Sequence, residues 1–275
     1  GEYAFISDFN INPFSGNLEI LEPYGRIHVY SLLGDFIETK RISYPEFKVA
    51  HSLAALDNDI YVSHSLFEPK KIAYFDLNKQ ELLHEEFEED MAIGSYSQIP
   101  YQYKDEWFFY RPFHPIVYKI GKKQLEASFK FDFGKYTKDG RTAVLSQEAK
   151  MNFTKNIEEM YAQYSYMIQA VRHNDKYIFA SVLWKDNDHR ANIIYDKSTG
   201  KSKYIIEFDE KVWFNSYRGE EIIVTDQYAI MPIQWVDLEK RVTKEMLNDK
   251  QQIILEKLLQ ADREQNPILI KYWFK

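Results

Sequence analysis

Apolar and polar residues alternate in short runs along most of the chain, and the runs fall into a phrase that repeats. In RIHVYSLLGDFIETKRI, residues 26–42, an alternating segment ends at Tyr30, a few turn-forming residues follow, and a second alternating segment begins. KIAYFDLNKQELLHEEF, residues 71–87, and PIVYKIGKKQLEASFKF, residues 115–131, have the same form. A period of two is the mark of a strand with one buried face. Tyr30, Tyr74 and Tyr118 follow one another at intervals of 44 residues. A fourth copy, ANIIYDKSTGKSKYIIEF, brings Tyr195 into register 77 residues after Tyr118. The excess falls largely in residues 135–163, which lack the phrase and are rich in helix formers.

Upstream of each Tyr lies another strand: NLEILEP, DIYVSHS, EWFFYRP and KYIFASVLW. Before these come FISDFNI, AHSLAAL, YSQIPYQY and YMIQAVR. With the strand after the turn, each unit of about 44 residues holds four strands, the size of a propeller blade. The expected fold is therefore all-β, a β-propeller of four-stranded blades forming one domain over residues 1–275. Blades are expected at about 1–45, 46–93, 94–135, 164–210 and 211–275, with helical insertions at about 141–163 and 238–265. In the last blade KVWFNSYRG reads as the inner strand, QYAIMPIQWVD as the second and NPILIKYWFK as the third, with no fourth. Propellers close their ring by pairing strands from the two termini. The expectation is thus an upstream blade and closing strand beyond residue 1, six blades in all. Without them the faces of the first and last blades are expected to expose aromatic and branched residues.

Composition sharpens this picture in three ways. Tyr and Phe number 21 and 19, and both favour half-buried sheet surfaces. The net charge of −7, with no Lys/Arg stripe, argues against a nucleic-acid partner. The absence of cysteine removes disulfides, thiolate nucleophiles and cysteine metal sites. No apolar run approaches the length of a membrane span, and the chain opens strand-like, without a signal peptide.

GEYAFISDFNINPFSGNLEIL, RPFHPIVYKI and NPILIKYWFK together resemble the six-bladed β-propeller lipoproteins of Gram-negative gut bacteria, and the resemblance runs along nearly the whole chain. It implies the same propeller. It also implies a lipidated cysteine in an N-terminal part beyond this sequence, and hence export to the periplasm, outer membrane or cell surface. The membrane would be met only through that anchor. The shared motifs are structural rather than catalytic.

The chain has no G-x-S-x-G, H-E-x-x-H, Walker or dinucleotide motif. Candidate chemistry is therefore positional. Loops joining second and third strands crowd one mouth of a propeller, where ligands bind. In YRPFHPIVY, Arg111 and His114 read either as a clamp and donor for an anionic ligand or as an exposed, Pro-braced hairpin. In LWKDNDHRAN, Trp184, Asp186 and Asp188 offer a stacking ring and two oxygen ligands for Ca²⁺, although the Gly and Glu of a calcium loop are missing. The other reading is a solvated turn. His51, Gln98, Gln169, Arg172, Asn215, Tyr217 and Arg218 are polar on inner strands, as a binding ring or any wet channel wall would be. Trp213 and Trp235 fit sugar stacking or blade packing. His84 and His173 read as surface histidines, and HEEFEED as a solvated outer strand. The insertion at 141–163 reads as a lid, with Met151, Phe153 and Met160 turned down onto the mouth, or as a plug over apolar blade surface.

Two functions follow. One is a non-catalytic binding or scaffold module for a glycan, peptide or partner protein, without a cofactor. The other is a metal-dependent lyase, lactonase or hydrolase with an axial site. The latter needs a convergent, partly anionic cage, and no inner-strand Asp or Glu set repeats between blades.

Overall fold

In this computed structural model the described residues are 5–42, 50–65, 70–88, 100–184, 190–205, 223–233, 248–260 and 268–273. They divide into two units, residues 1–168 and 169–275.

The first unit contains three four-stranded antiparallel meanders. The first is β1 (Asp8–Ile11), β2 (Leu18–Leu21), β3 (Arg26–Tyr30) and β4 (Phe36–Arg41). The second is β5 (Ser52–Ala55), β6 (Ile60–His64), β7 (Lys70–Asp76) and β8 (Glu81–Glu88). The third is β9 (Tyr101–Tyr103), β10 (Glu106–Phe109), β11 (Ile116–Ile120) and β12 (Leu125–Lys130). Two 3₁₀ turns and the helices α1 (Gln147–Met151) and α2 (Phe153–Gln163) follow.

The second unit holds the meander β13 (Tyr166–His173), β14 (Tyr177–Trp184), β15 (Arg190–Asp196) and β16 (Lys201–Ile205), whose first residues lie just before the unit boundary. It also holds β17 (Ile223–Val224), β18 (Tyr228–Ile233) and β19 (Ile268–Trp273), three strands of one sheet, with α3 (Asp249–Leu259) between the last two. The fold is an all-β, propeller-type series of blades, with strands in the order the repeat predicts. The inner strand expected at KVWFNSYRG lies outside the described residues; the strand paired with β18 is Ile223–Val224. Of the helix expected over 238–265, the described part is Asp249–Leu259.

Short side chains set the turns. Between first and second strands, Asn12, Asp57 and Asn174 each accept main-chain N–H groups two and three residues on, and Thr225 does so through its hydroxyl. These are Asx- and Ser/Thr-type turns, which reverse the chain while satisfying its donors. Gly25 precedes β3 at φ +77, and an added Cβ would lie 2.9 Å from the Ile42 carbonyl oxygen, so the position requires glycine.

The first two meanders pack through one core. Leu21, Ile27 and Val29 from the first meet Leu53, Ala55, Tyr61, Ala73 and Phe75 from the second, all buried. A polar seam continues this joint. Glu19, buried at 1% exposure, accepts the Tyr61 hydroxyl at 2.6 Å and the Asn12 amide at 2.9 Å; Lys40 donates to the same hydroxyl at 3.0 Å.

A β-bulge recurs between third and fourth strands, with the register slipping at Val29/Tyr30, Tyr74/Phe75 and Val117/Tyr118. A one-residue slip moves a side chain to the other face of its sheet. Tyr30 and Tyr118 follow their slips, whereas Tyr74 precedes its own. Phe75 therefore takes their place, facing the first meander as Tyr118 faces Phe87 of the second. The equal sequence intervals thus conceal a shift of one residue.

The face of the first meander that carries Tyr30 is open. Register places Ile11, Leu18, Tyr30 and Phe36 in one row across it, and Phe9, Ile20, His28 and Thr39 in the next. Phe9, Ile11 and Phe36 are 64%, 52% and 58% exposed.

Candidate functional site

Chain reversal after β10 builds the hairpin Tyr110–Arg111–Pro112–Phe113–His114–Pro115, where the sequence places two candidate residues. The reading of an exposed hairpin is corrected, because Arg111 is 0% and His114 1% exposed. The His114 N–H donates to the Arg111 carbonyl at 3.2 Å, and the Pro112 carbonyl accepts Ile168 N–H at 2.7 Å. The Phe113 carbonyl accepts Gly140 N–H at 2.9 Å, and a Cβ on Gly140 would meet that carbonyl at 2.7 Å. The hairpin is buried because the helical insertion lies on it.

Phe113, Leu145, Ala149, Met160 and Tyr164 form one buried cluster, with Ile157, Tyr161 and Met167 against it. Met160 is turned inward, as the sequence suggests, but Met151 is 89% exposed. Asn152 ends α1 and caps α2, accepting the Lys155 N–H; this turn sends Met151 outward. The Phe153 side chain lies outside the described residues.

Around the hairpin, polar groups are paired with one another. Arg111 Nη1 lies 3.2 Å from His64 Nε2. Guanidinium nitrogens only donate, so His64 accepts at Nε2 and carries its proton on Nδ1. His114 lies between Asp139 Oδ1, 2.9 Å from Nδ1, and the Tyr118 hydroxyl, 2.8 Å from Nε2. Burial pushes the imidazole pKa down despite the opposing pull of Asp139. The neutral ring then donates from Nδ1 to Asp139 and accepts Tyr118 O–H at Nε2.

Burial alone would raise Asp139, but hydrogen bonds from Arg141 and His114 bring it down to about 2. Arg141 grips both of its carboxylate oxygens, with Nη2 2.7 Å from Oδ2 and Nε 3.1 Å from Oδ1. Phe87, in the left-handed region at φ 61, closes this cluster, its ring 5.1 Å from His114 and 5.7 Å from Tyr118.

An Asp–His–hydroxyl chain is the geometry that activates a nucleophile. Here burial raises the Tyr118 pKa, which works against ionising that hydroxyl, and Arg141 engages Asp139. The chain of hydrogen bonds ties the hairpin to β11 and to the turn before the helices. Sequence reasoning missed His64, Tyr118 and Asp139 as partners. Tyr118 was marked by the repeat; nothing local marked the other two.

In the second unit Gln169 and Arg172 are buried on β13, and Arg172 donates to the Val171 carbonyl at 2.7 Å. Trp184 is half-buried at the end of β14, and His51, in the first unit, is half-buried too. Asp186, Asp188, Tyr217 and Arg218 lie outside the described residues, as do Gln98, Asn215, Trp213 and Trp235.

Two histidine assignments change. His173 is buried, and burial reinforced by Lys197 lowers its pKa to about 3. His84 stacks on Tyr74 at 4.0 Å. In the outer strand HEEFEED, Phe87 is buried. Among the described residues no three His, Cys, Asp or Glu side chains are grouped to hold a metal ion. No described helix is long and apolar enough to cross a membrane.

Comparison with solved structures gives a TM-score of 0.72 to a Bacteroides fragilis protein described as exported, at 15% identity over 99% of this chain and 78% of that one. This likeness is one of fold. The β-propeller domain of Cps50 (Swd1) from Myceliophteria thermophila gives 0.41, at 11% identity over 82% of this chain and 62% of that one. No curated protein matches in sequence. Residues 1–272 match the model of the family described as a domain of unknown function, DUF4934, and the chain belongs to that family.

Proposed function

We propose that this protein is an exported, lipid-anchored propeller of the six-bladed lipoprotein type that acts as a non-catalytic binding or scaffold module. A partner protein is the first choice of ligand, with peptides and glycans next. The observation that supports the reading is the Asp139–His114–Tyr118 chain, whose buried groups are bonded to one another and brace the hairpin. The exposed apolar rows of the first meander are surface of the kind that another sheet covers, as the upstream blade of a six-bladed ring would. Export draws support from the similar Bacteroides fragilis structure, and the lipid anchor from the sequence resemblance.

The test is a thermal melt with and without a divalent-metal chelator, run beside turnover assays on lactones, uronate polysaccharides and esters. Superimposed melts and no turnover are expected. A chelator-lowered midpoint, restored by Ca²⁺ and accompanied by turnover, replaces this reading with a metal-dependent lyase, lactonase or hydrolase.

A further inference from the structure

Two oxygens in the seam between the first and second meanders lack partners. Asn10 Oδ1 and Glu19 Oε2 are both buried and unbonded. They belong to residues directly opposite each other on β1 and β2, so their side chains leave the same face as nearest neighbours. Both side chains are fixed by their other atoms. Asn10 Nδ2 donates to the Leu53 carbonyl at 2.8 Å, which prevents the amide from turning over. Glu19 Oε1 already accepts from Tyr61 and Asn12. Lys40 donates to the Tyr61 hydroxyl, and its closest approach to the carboxylate is 3.9 Å, to Oε1. The two free oxygens are acceptors only, and the carboxylate side chain has no exposure to solvent.

A buried carboxylate oxygen without a donor costs several kcal/mol. We propose that a single trapped water occupies this seam, donating one hydrogen to Asn10 Oδ1 and the other to Glu19 Oε2. A water needs two to four polar partners and room for about one molecule, and two acceptors held on adjacent strands provide the pair. The first joint of the series is then dry at Leu21, Ile27 and Leu53 and water-bridged at Asn10 and Glu19.

The experiment is a crystal structure of the chain at a resolution that shows ordered solvent, with a second data set after a rubidium and calcium soak. One peak within hydrogen-bond distance of both oxygens, without anomalous signal, is the expected result. No peak, or a peak replaced by either cation, overturns the proposal. Glu19→Gln gives an independent reading, since its Nε2 takes the place of Oε2 and donates to the water, which still donates to Asn10 Oδ1. The peak should persist with little change in melting midpoint. A drop in midpoint together with loss of chelator sensitivity would identify a cation site instead.

Discussion

Asp8 Oδ2 accepts the main-chain N–H of Leu53 at 2.9 Å, linking the inner strand of the first meander to that of the second. Burial raises the Asp8 carboxyl to about 6, against the pull of hydrogen bonds from Leu53 and Phe9. A raised carboxyl pKa means that the native state binds its proton more tightly than the unfolded state. Its contribution to stability is full below about 4 and is lost as pH rises through about 6. The loss is at most roughly 3 kcal/mol, an upper bound because Asp8 is only half-buried. Asp8→Asn keeps an acceptor for Leu53 and removes the charge. Its denaturation midpoint should exceed wild type at pH 7 and match it at pH 4; equal gains at both values would discard the titration argument.

His173 has the opposite sign. Its pKa is depressed to about 3, so its contribution is full above about 6.5 and drains away as pH falls toward 3. His173→Phe should flatten acid unfolding between pH 6 and 4, measured by near-ultraviolet circular dichroism. An unchanged acid limb would show that other groups control it.

Tyr118→Phe leaves His114 Nε2 buried without its donor, at a cost of about 1–3 kcal/mol. Asp139→Asn removes the charge that holds the ring and should cost at least as much. A double-mutant cycle tests the coupling: additive losses would mean that His114 does not transmit between them.

Met160 is fully buried and Met151 almost fully exposed, so the two methionines of the insertion should behave differently. Met160→Ala should cost about 2–5 kcal/mol and Met151→Ala less than about 0.5 kcal/mol. Comparable losses in urea denaturation would refute the packing of α2 on Phe113.

The open face of the first meander should make the isolated 275-residue chain bind hydrophobic dyes and associate at high concentration. Phe9→Glu with Ile11→Lys should reduce both in dye titration and sedimentation velocity, with little change in melting midpoint. If the pair unfolds the protein, those residues are covered in solution.

The sequence by itself determined the strands, their order and most turns. Those depend on alternation with a period of two and on Asn, Asp or Thr at reversals such as Asn12, Asp57 and Thr225, and both signals are local. Tertiary structure decided which side chains meet. The equal spacing of Tyr30, Tyr74 and Tyr118 could not reveal that one bulge lies a residue later, placing Phe75 where a Tyr was expected. Nor could a hairpin written Arg-Pro-Phe-His-Pro announce its own burial, because the cover comes from an insertion whose Met160 and Tyr164 lie far along the chain. Burial then fixed the chemistry. It set Arg111 beside His64 and His114 between Asp139 and Tyr118, contacts between residues that lie 4 to 47 positions apart along the chain.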